Sequence, residues 1–398
     1  MNSLRVLSLS TLFPSPQRPA FGKFVEYQMD AVAARGDVDL VVINPLGIPP
    51  WPLSLREPYC SLAANPQKSD LNGVTVFHPR FRLIPKIGAD SNPDRISRAV
   101  MPLVKRLHAM RPFDLVDAQF FFPDGPAAAR IANELDLPLS IKSRGGDILY
   151  WGQRPRALAQ MRSAADQAAG LLAVSTALRQ DMIGLGMDGQ RIMVHYTGLD
   201  HARFHPRPRA EARAQIAALA GLAIPADGAL LVATGALIAI KGQRLAIAAL
   251  KELPGARLAL AGKGEDEAAL RGLAAELGLV ERVHFLGQVS HEVLPLLLCA
   301  ADAAVLPSER EGLANAWVEA LACGAPLVIP NIGGALEVVL RPSAGRIAAR
   351  DPSSIAAAVR DLLAEPPAQA EVAANAARFN WDSNAAELVA YWQRLAKL

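Results

Sequence analysis

The chain has 398 residues, 51% hydrophobic and 20% charged, with a formal net charge of +3 at pH 7. This length suits two domains of roughly 200 residues better than one core, and the composition excludes a disordered chain. So small a net charge gives no reason to expect a nucleic-acid binder. Cys60, Cys299 and Cys323 stand far apart in the sequence, odd in number and in apolar contexts. That argues against a disulfide framework or zinc site and for a reducing compartment. Met1 to Leu12 reads as a first buried strand rather than a signal peptide, and no window approaches the roughly 20 unbroken apolar residues of a membrane span. The expected location is cytoplasmic.

Apolar strands and helical patterns alternate from the start. Strands are expected at Arg5–Ser10, Asp39–Ile43, Val74–His78, Leu115–Ala118, Leu139–Lys142 and Gly170–Val174, with helices at Phe24–Ala34, Arg95–Ala109 and Gly125–Leu135. This is the rhythm of a parallel sheet with helices on both faces. Asn44–Pro58, rich in proline, reads as one long loop, a candidate for binding a second substrate. After the stiff connector His201–Arg213 a second series begins. It has strands Leu230–Thr234, Arg257–Ala261, Val283–Leu286, Ala303–Leu306, Leu327–Pro330 and Gly345–Ala348, with helices between them. The expected domains are 1–205 and 206–379, with a helix near 380–398 returning to the first.

Between Pro79 and Pro112 lie eight basic residues, Arg80, Arg82, Lys86, Arg95, Arg98, Lys105, Arg106 and Arg111, against Asp90 and Asp94. Ile96, Val100, Leu103, Val104 and Leu107 recur there at helical spacing. Two readings stay open: peripheral contact of 80–111 with anionic lipid, or an ordinary amphipathic helix with a solvated basic face.

The densest chemistry lies in Glu311-Gly312-Leu313-Ala314-Asn315-Ala316-Trp317-Val318-Glu319. A strand ends just before it, and a helix runs from Ala316 to Cys323, stopped by Gly324 and Pro326. Ligands of open α/β sheets bind beyond the carboxyl ends of strands, where the first N–H groups of the next helix are unpaired. Backbone at Leu313 to Asn315 suits a phosphate or sugar hydroxyl there, and the two carboxylates suit ribose or hexose hydroxyls. A solvated loop charge and a helix-dipole charge explain the glutamates equally well on spacing alone. Three further glycine turns fall at the same edge: Gly235 to Lys241-Gly242, Gly262-Lys263-Gly264, and Gly333-Gly334 before Glu337. At the first of these, Lys241 can offer a mobile cation to a diphosphate.

Taken in order with Val283-His284-Phe285-Leu286-Gly287 and the run Glu319-Ala320-Leu321-Ala322-Cys323-Gly324-Ala325-Pro326, these motifs resemble the family 4 retaining glycosyltransferases. The likeness extends over the whole chain through Phe13-Pro14, Phe21-Gly22-Lys23-Phe24, Arg144-Gly145-Gly146-Asp147, Ala173-Val174-Ser175 and Gly198-Leu199-Asp200 with Phe204. It implies a GT-B fold, two Rossmann-like domains facing a central cleft, and a nucleotide-sugar donor such as a UDP- or GDP-sugar. The implied acceptor is a glycan or lipid-linked glycan of cell-surface polysaccharide synthesis. Catalytic roles are implied for Glu311, on the donor sugar, and Lys241, on the diphosphate, and Arg144 is added to them as a candidate. Glu319 would hold the ribose, and Leu313, Ala314 and Asn315 would offer N–H groups. Gly22 would let the first domain close on the donor, and Gly235, Gly262, Gly264 and Val289 complete the implied donor site. No cofactor is implied, and no metal is required.

The chain departs from the family pattern at Ala236, where an arginine usually follows the glycine, at Arg144, where many members have histidine, and at Thr197, where asparagine is usual. Arg144 is a candidate to restore the missing cation. Asp37-Val38-Asp39 resembles a metal-binding motif of another fold but is explained by turn chemistry. His195, between apolar neighbours, reads as structural. A sugar-nucleotide epimerase of the same fold, or a catalytically silent partner subunit, are the rival readings.

Overall fold

The first apolar run, Leu4–Leu9, is a strand buried along its whole length, as expected of a sheet covered on both faces. The structure is a computed structural model and describes residues 3–85, 87–220, 228–290 and 292–397. The chain divides into two units, Met1–Gly198 with Trp381–Leu398, and Leu199–Asn380. The border expected after residue 205 falls a few residues past this division.

The strands of the first unit are β1 (Leu4–Leu9), β2 (Val38–Ile43), β3 (Leu46–Ile48), β4 (Lys68–Leu71), β5 (Val74–Phe77), β6 (Arg80–Arg82), β7 (Leu115–Ala118), β8 (Leu139–Ser143), β9 (Gly170–Ala173) and β10 (Ile192–Val194). Eight form one sheet in the order β10-β9-β8-β7-β1-β2-β5-β4, parallel except for the β4–β5 hairpin. β3 and β6 pair in parallel as a separate ribbon. The stretch 44–58 is therefore not one loop: Leu46–Ile48 finds hydrogen-bonding partners in Arg80–Arg82.

Leu4 and Val6 join Val25, Met29 and Val32 of the helix Lys23–Ala34 and Leu388, Val389 and Trp392 of the helix Trp381–Ala396 in one core cluster. The C-terminal helix thus belongs to the first unit. Polar contacts fix it further: Trp392 Nε1 donates to Asp117 Oδ1 at 3.2 Å, and Gln28 Nε2 donates to Asn384 Oδ1 at 2.6 Å.

The helix Asn92–Met110 bears on the two readings of the basic segment. Ile96, Val100 and Val104 are fully buried and Leu103 and Leu107 half-buried, so the apolar stripe packs mainly against the protein, as in the reading of an ordinary amphipathic helix. Arg98 and Lys105 sit outside in ion pairs with Asp94 and Glu134; Lys86 lies outside the described residues. Among the described residues no helix is long and apolar enough to cross a membrane.

The second unit carries β11 (Leu230–Thr234), β12 (Arg257–Ala261), β13 (Val283–Gly287), β14 (Ala303–Val305), β15 (Leu327–Ile329) and β16 (Gly345–Ile347). They form one sheet in the order β13-β12-β11-β14-β15-β16, parallel throughout. Cys299 and Cys323, distant in sequence, meet here as free thiols. Their hydrogen bond pushes the Cys323 thiol up and the Cys299 thiol down.

Trp392→Ala should lower the stability of the first unit by about 3–5 kcal/mol through loss of buried aromatic volume. Denaturant unfolding checks this, and a change within error would contradict the anchoring of the C-terminal helix.

Candidate functional site

The second sheet reverses its strand order between β11 and β14: β12 lies on one side of β11 and β14 on the other. The crevice beyond the carboxyl ends at such a point is where open sheets take ligands. The loop after β11 ends in a single helical turn, Ala239–Lys241, and then Gly242 opens the helix Gln243–Ala249. The loop after β14 carries Glu311. Lys241 Nζ lies 2.5 Å from Glu311 Oε1, and the Glu309 N–H donates to the Ile240 carbonyl at 2.7 Å. Two of the expected ligand groups are therefore brought together and neutralise one another. Beside them is a cavity of about 20 Å³, room for a single water.

Thr234, Gln243 and Ser308, polar residues that sequence reasoning did not single out, also line this cavity, together with Trp317 of the Glu311–Glu319 stretch. Thr234 Oγ1 is buried with no partner among the described residues, and Gln243 Nε2 donates to the Ala236 carbonyl at 2.8 Å. Their positions, at a strand end and at the first helical residue after Lys241-Gly242, were the available signal.

Neighbouring backbone holds the Glu311 loop. The Gly334 N–H donates to the Gly312 carbonyl at 2.8 Å. Gly333 sits at φ 46, and a Cβ there would collide with the Glu311 carbonyl oxygen. The helix Asn315–Ala322 starts from Ala314 with no side-chain cap. Among the described residues the Leu313 and Ala314 N–H groups donate to nothing, leaving donors at the positive end of the helix. Glu319, inside that helix, is half-buried. Loss of water pushes its carboxyl up to about 7, with Arg203 pulling the other way.

The Gly262-Lys263-Gly264 turn packs against the β11 loop. The Gly235 N–H donates to the Ala261 carbonyl and the Leu237 N–H to the Lys263 carbonyl, each at 3.0 Å. A Cβ at Gly262 would strike the Gly235 carbonyl, and one at Gly264 the Leu237 carbonyl. Their visible task is close approach of two loops, which leaves Gly235 and Ala236 exposed. Val289 is half-buried in the loop after β13, further along the same edge.

Gly22 and Arg144 belong to the first unit. Gly22 precedes the helix Lys23–Ala34. Arg144 follows β8 and is held by its surroundings: its Nη2 donates to Gln28 Oε1 at 2.7 Å and to Gln119 Oε1, and its Nε to the Gln119 carbonyl at 3.2 Å. Desolvation lowers it to about 10, opposed by Asp117 and Asp147, so it remains cationic at neutral pH. The buried Asp147 shapes this turn by accepting from the N–H groups of Phe121, Arg144, Gly145 and Ile148. His195 is buried, its Nδ1 2.7 Å from Lys142 Nζ and its Nε2 2.9 Å from the Asn384 carbonyl, a structural position. Asp37 pairs with Arg35, and Asp39 with Arg5 and Arg111.

Two parallel-sheet units, one with this switch-point edge, are the architecture of the GT-B glycosyltransferases. HepE of Anabaena, solved with UDP and with UDP-glucose, matches with TM-scores of 0.74 and 0.72 at 20% identity, covering 99% and 98% of this chain and all of that one. The family model for glycosyl transferases group 1 matches residues 217–379, and that for a glycosyl transferase 4-like domain matches 21–198. The chain belongs to the group 1 glycosyltransferases and is an enzyme of that class. It is 29% identical over 340 residues to the putative teichuronic acid biosynthesis glycosyltransferase TuaC of Bacillus subtilis, covering 83% of this chain and 82% of that one. It is also 36% identical over 181 residues to a GDP-mannose-dependent phosphatidylinositol monomannoside mannosyltransferase of Mycolicibacterium smegmatis, covering 42% and 46%.

Glu319 has a consequence for pH. Its folded value of about 7 lies above the ordinary 4.5, so within that window the unfolded chain releases a proton that the folded chain keeps. Stability therefore falls as pH rises from about 4.5 to 7, by on the order of 2–3 kcal/mol, and this contribution then levels off. Glu319→Gln should flatten that part of the stability profile in denaturant titrations; a profile unchanged by the substitution would contradict it.

Proposed function

We propose that this protein is a retaining hexosyltransferase that moves a sugar from a UDP- or GDP-sugar to a glycan or lipid-linked acceptor in cell-surface polysaccharide synthesis. The observation that carries the reading is the Lys241–Glu311 pair at the switch point, beside the unpaired N–H groups of Leu313 and Ala314. A leaving nucleoside diphosphate gains negative charge as the sugar departs. A lysine and a helix N-terminus positioned beforehand stabilise that charge without reorganisation. Lys241 would exchange Glu311 for the diphosphate, freeing the Glu311 carboxylate for the sugar hydroxyls. Glu319, with its raised pKa, can donate as well as accept a hydrogen bond with the ribose. Asn315 extends the row of N–H groups, and Gly235, Gly262, Gly264 and Val289 line the same edge for the rest of the donor.

In this scheme retention comes from front-side attack assisted by the departing phosphate, and no metal or cofactor takes part. The names of relatives support the substrate classes: TuaC concerns teichuronic acid, the mannosyltransferase uses GDP-mannose, and HepE was solved with UDP-glucose. Arg144 is proposed as a second cation in place of the arginine absent at Ala236, and Gly22 as the point where the first unit adapts to donor. For Arg144 this requires exchanging its bonds to Gln28 and Gln119 for phosphate. The proposed location is cytoplasmic, and peripheral attachment at the inner face of the membrane is an additional reading rather than part of it. Any contact of 80–111 with anionic lipid would be by charge alone, through exposed residues such as Arg98, Lys105 and Arg106.

Nucleotide release from a panel of UDP- and GDP-sugars tests the reading. Lys241→Ala should lower turnover by about 10²–10³, and Arg144→Ala by a smaller factor. Full activity in Lys241→Ala would overturn the assignment, and unchanged transfer in Arg144→Ala would remove the second cation.

A further inference from the structure

At the carboxyl edge of the first sheet, the loops after β1 and β2, the β3–β6 ribbon, the segment 58–62, Asn92 and Pro123 border a cavity of roughly 320 Å³, within the size range of ligand sites. Its walls are largely apolar, with Phe13, Phe21, Tyr59 and Phe81 among them, and among the described residues no carboxylate lines it. Two polar groups there lack partners. The Arg18 guanidinium, half-buried, stacks 3.8 Å from the Phe21 ring centroid and makes no side-chain hydrogen bond or ion pair among the described residues. Asn92 Oδ1 is buried with no donor facing it. A partly desolvated cation attracts an anion more strongly than one in open water. Partial burial also lowers the Arg18 pKa, as expected of a cation with reduced hydration and no compensating carboxylate. Aromatic walls complement the apolar face of a sugar ring, and Arg18 complements a negative group that the ring carries.

We propose that this cavity is the acceptor subsite for an anionic sugar unit, a hexose bearing a carboxylate or a phosphate. Arg18 takes the negative group, Phe21 and Tyr59 flank the ring, and Asn92 lies in the cavity wall. The name acceptor rests on the transferase reading above, but binding of an anionic sugar is measurable without it.

The test is titration of the full chain, followed by saturation-transfer NMR, with D-glucuronate, glucose 6-phosphate and neutral methyl glucoside, alongside UDP and GDP. At least one anion should bind about tenfold more tightly than methyl glucoside. Arg18→Gln should abolish that preference while leaving nucleotide affinity and melting temperature unchanged. Asn92→Asp, which places a negative charge in the cavity, should weaken the anion further and spare the neutral sugar. Preference for glucuronate assigns the carboxylate as the source of charge, and preference for glucose 6-phosphate assigns the phosphate. Anions binding no better than methyl glucoside, or keeping their advantage in both variants, would overturn the proposal. Failure of UDP and GDP to bind while the anion still does would count against the donor reading alone.

Discussion

The ion pair between Lys241 and Glu311, 2.5 Å apart, is the contact around which the second unit's carboxyl edge is organised. It exists because β11 and β14 are neighbours in space though not in sequence, so loops from two distant chain segments leave the sheet side by side. The rest of the edge supports that meeting. Gly333-Gly334 backs the Glu311 loop, and Gly262 and Gly264 let the β12 turn press on the β11 loop without a side chain between them. A cation and an anion that hold each other in this way are poised to exchange partners. A ligand with a diphosphate for the lysine and hydroxyls for the carboxylate replaces one ion pair with two favourable contacts, and so leaves no charge stranded.

Most of this architecture was legible as apolar runs. Strands such as Leu230–Thr234 and Arg257–Ala261 are all but fully buried and bounded by glycine, which is the signature of a parallel sheet. The short strands outside the main alternation, Leu46–Ile48 and Arg80–Arg82, were not legible. Leu46–Ile48 follows Pro45 and is too short to show a period; it exists because Arg80–Arg82 pairs with it. The helix Asn92–Met110 was read correctly as amphipathic, but periodicity cannot tell whether an apolar stripe meets a sheet, a neighbouring helix or a lipid. Packing decides that, and here it buries Ile96, Val100 and Val104.

The site shows the same division. Glycine turns and the spaced glutamates were visible because special backbone and paired charge leave marks in the sequence. What those glycines touch was not visible, since Gly262 answers to the Gly235 carbonyl across a strand pairing. Thr234 and Gln243 carry no motif of their own and become notable only through a buried unpaired hydroxyl and an amide tied to Ala236. Arg144 was singled out as a departure from a pattern. The structure adds that Gln28 and Gln119 already occupy its donors, so any second role must compete with them.

The central claim is that the second unit's switch-point edge receives the diphosphate of the donor. A crystal structure of the protein with UDP or GDP bound tests it most directly. The account predicts Lys241 Nζ released from Glu311 and within hydrogen-bond distance of a phosphate oxygen, with the Leu313 or Ala314 N–H on the same group. A nucleotide bound elsewhere, with the Lys241–Glu311 pair intact, would contradict it.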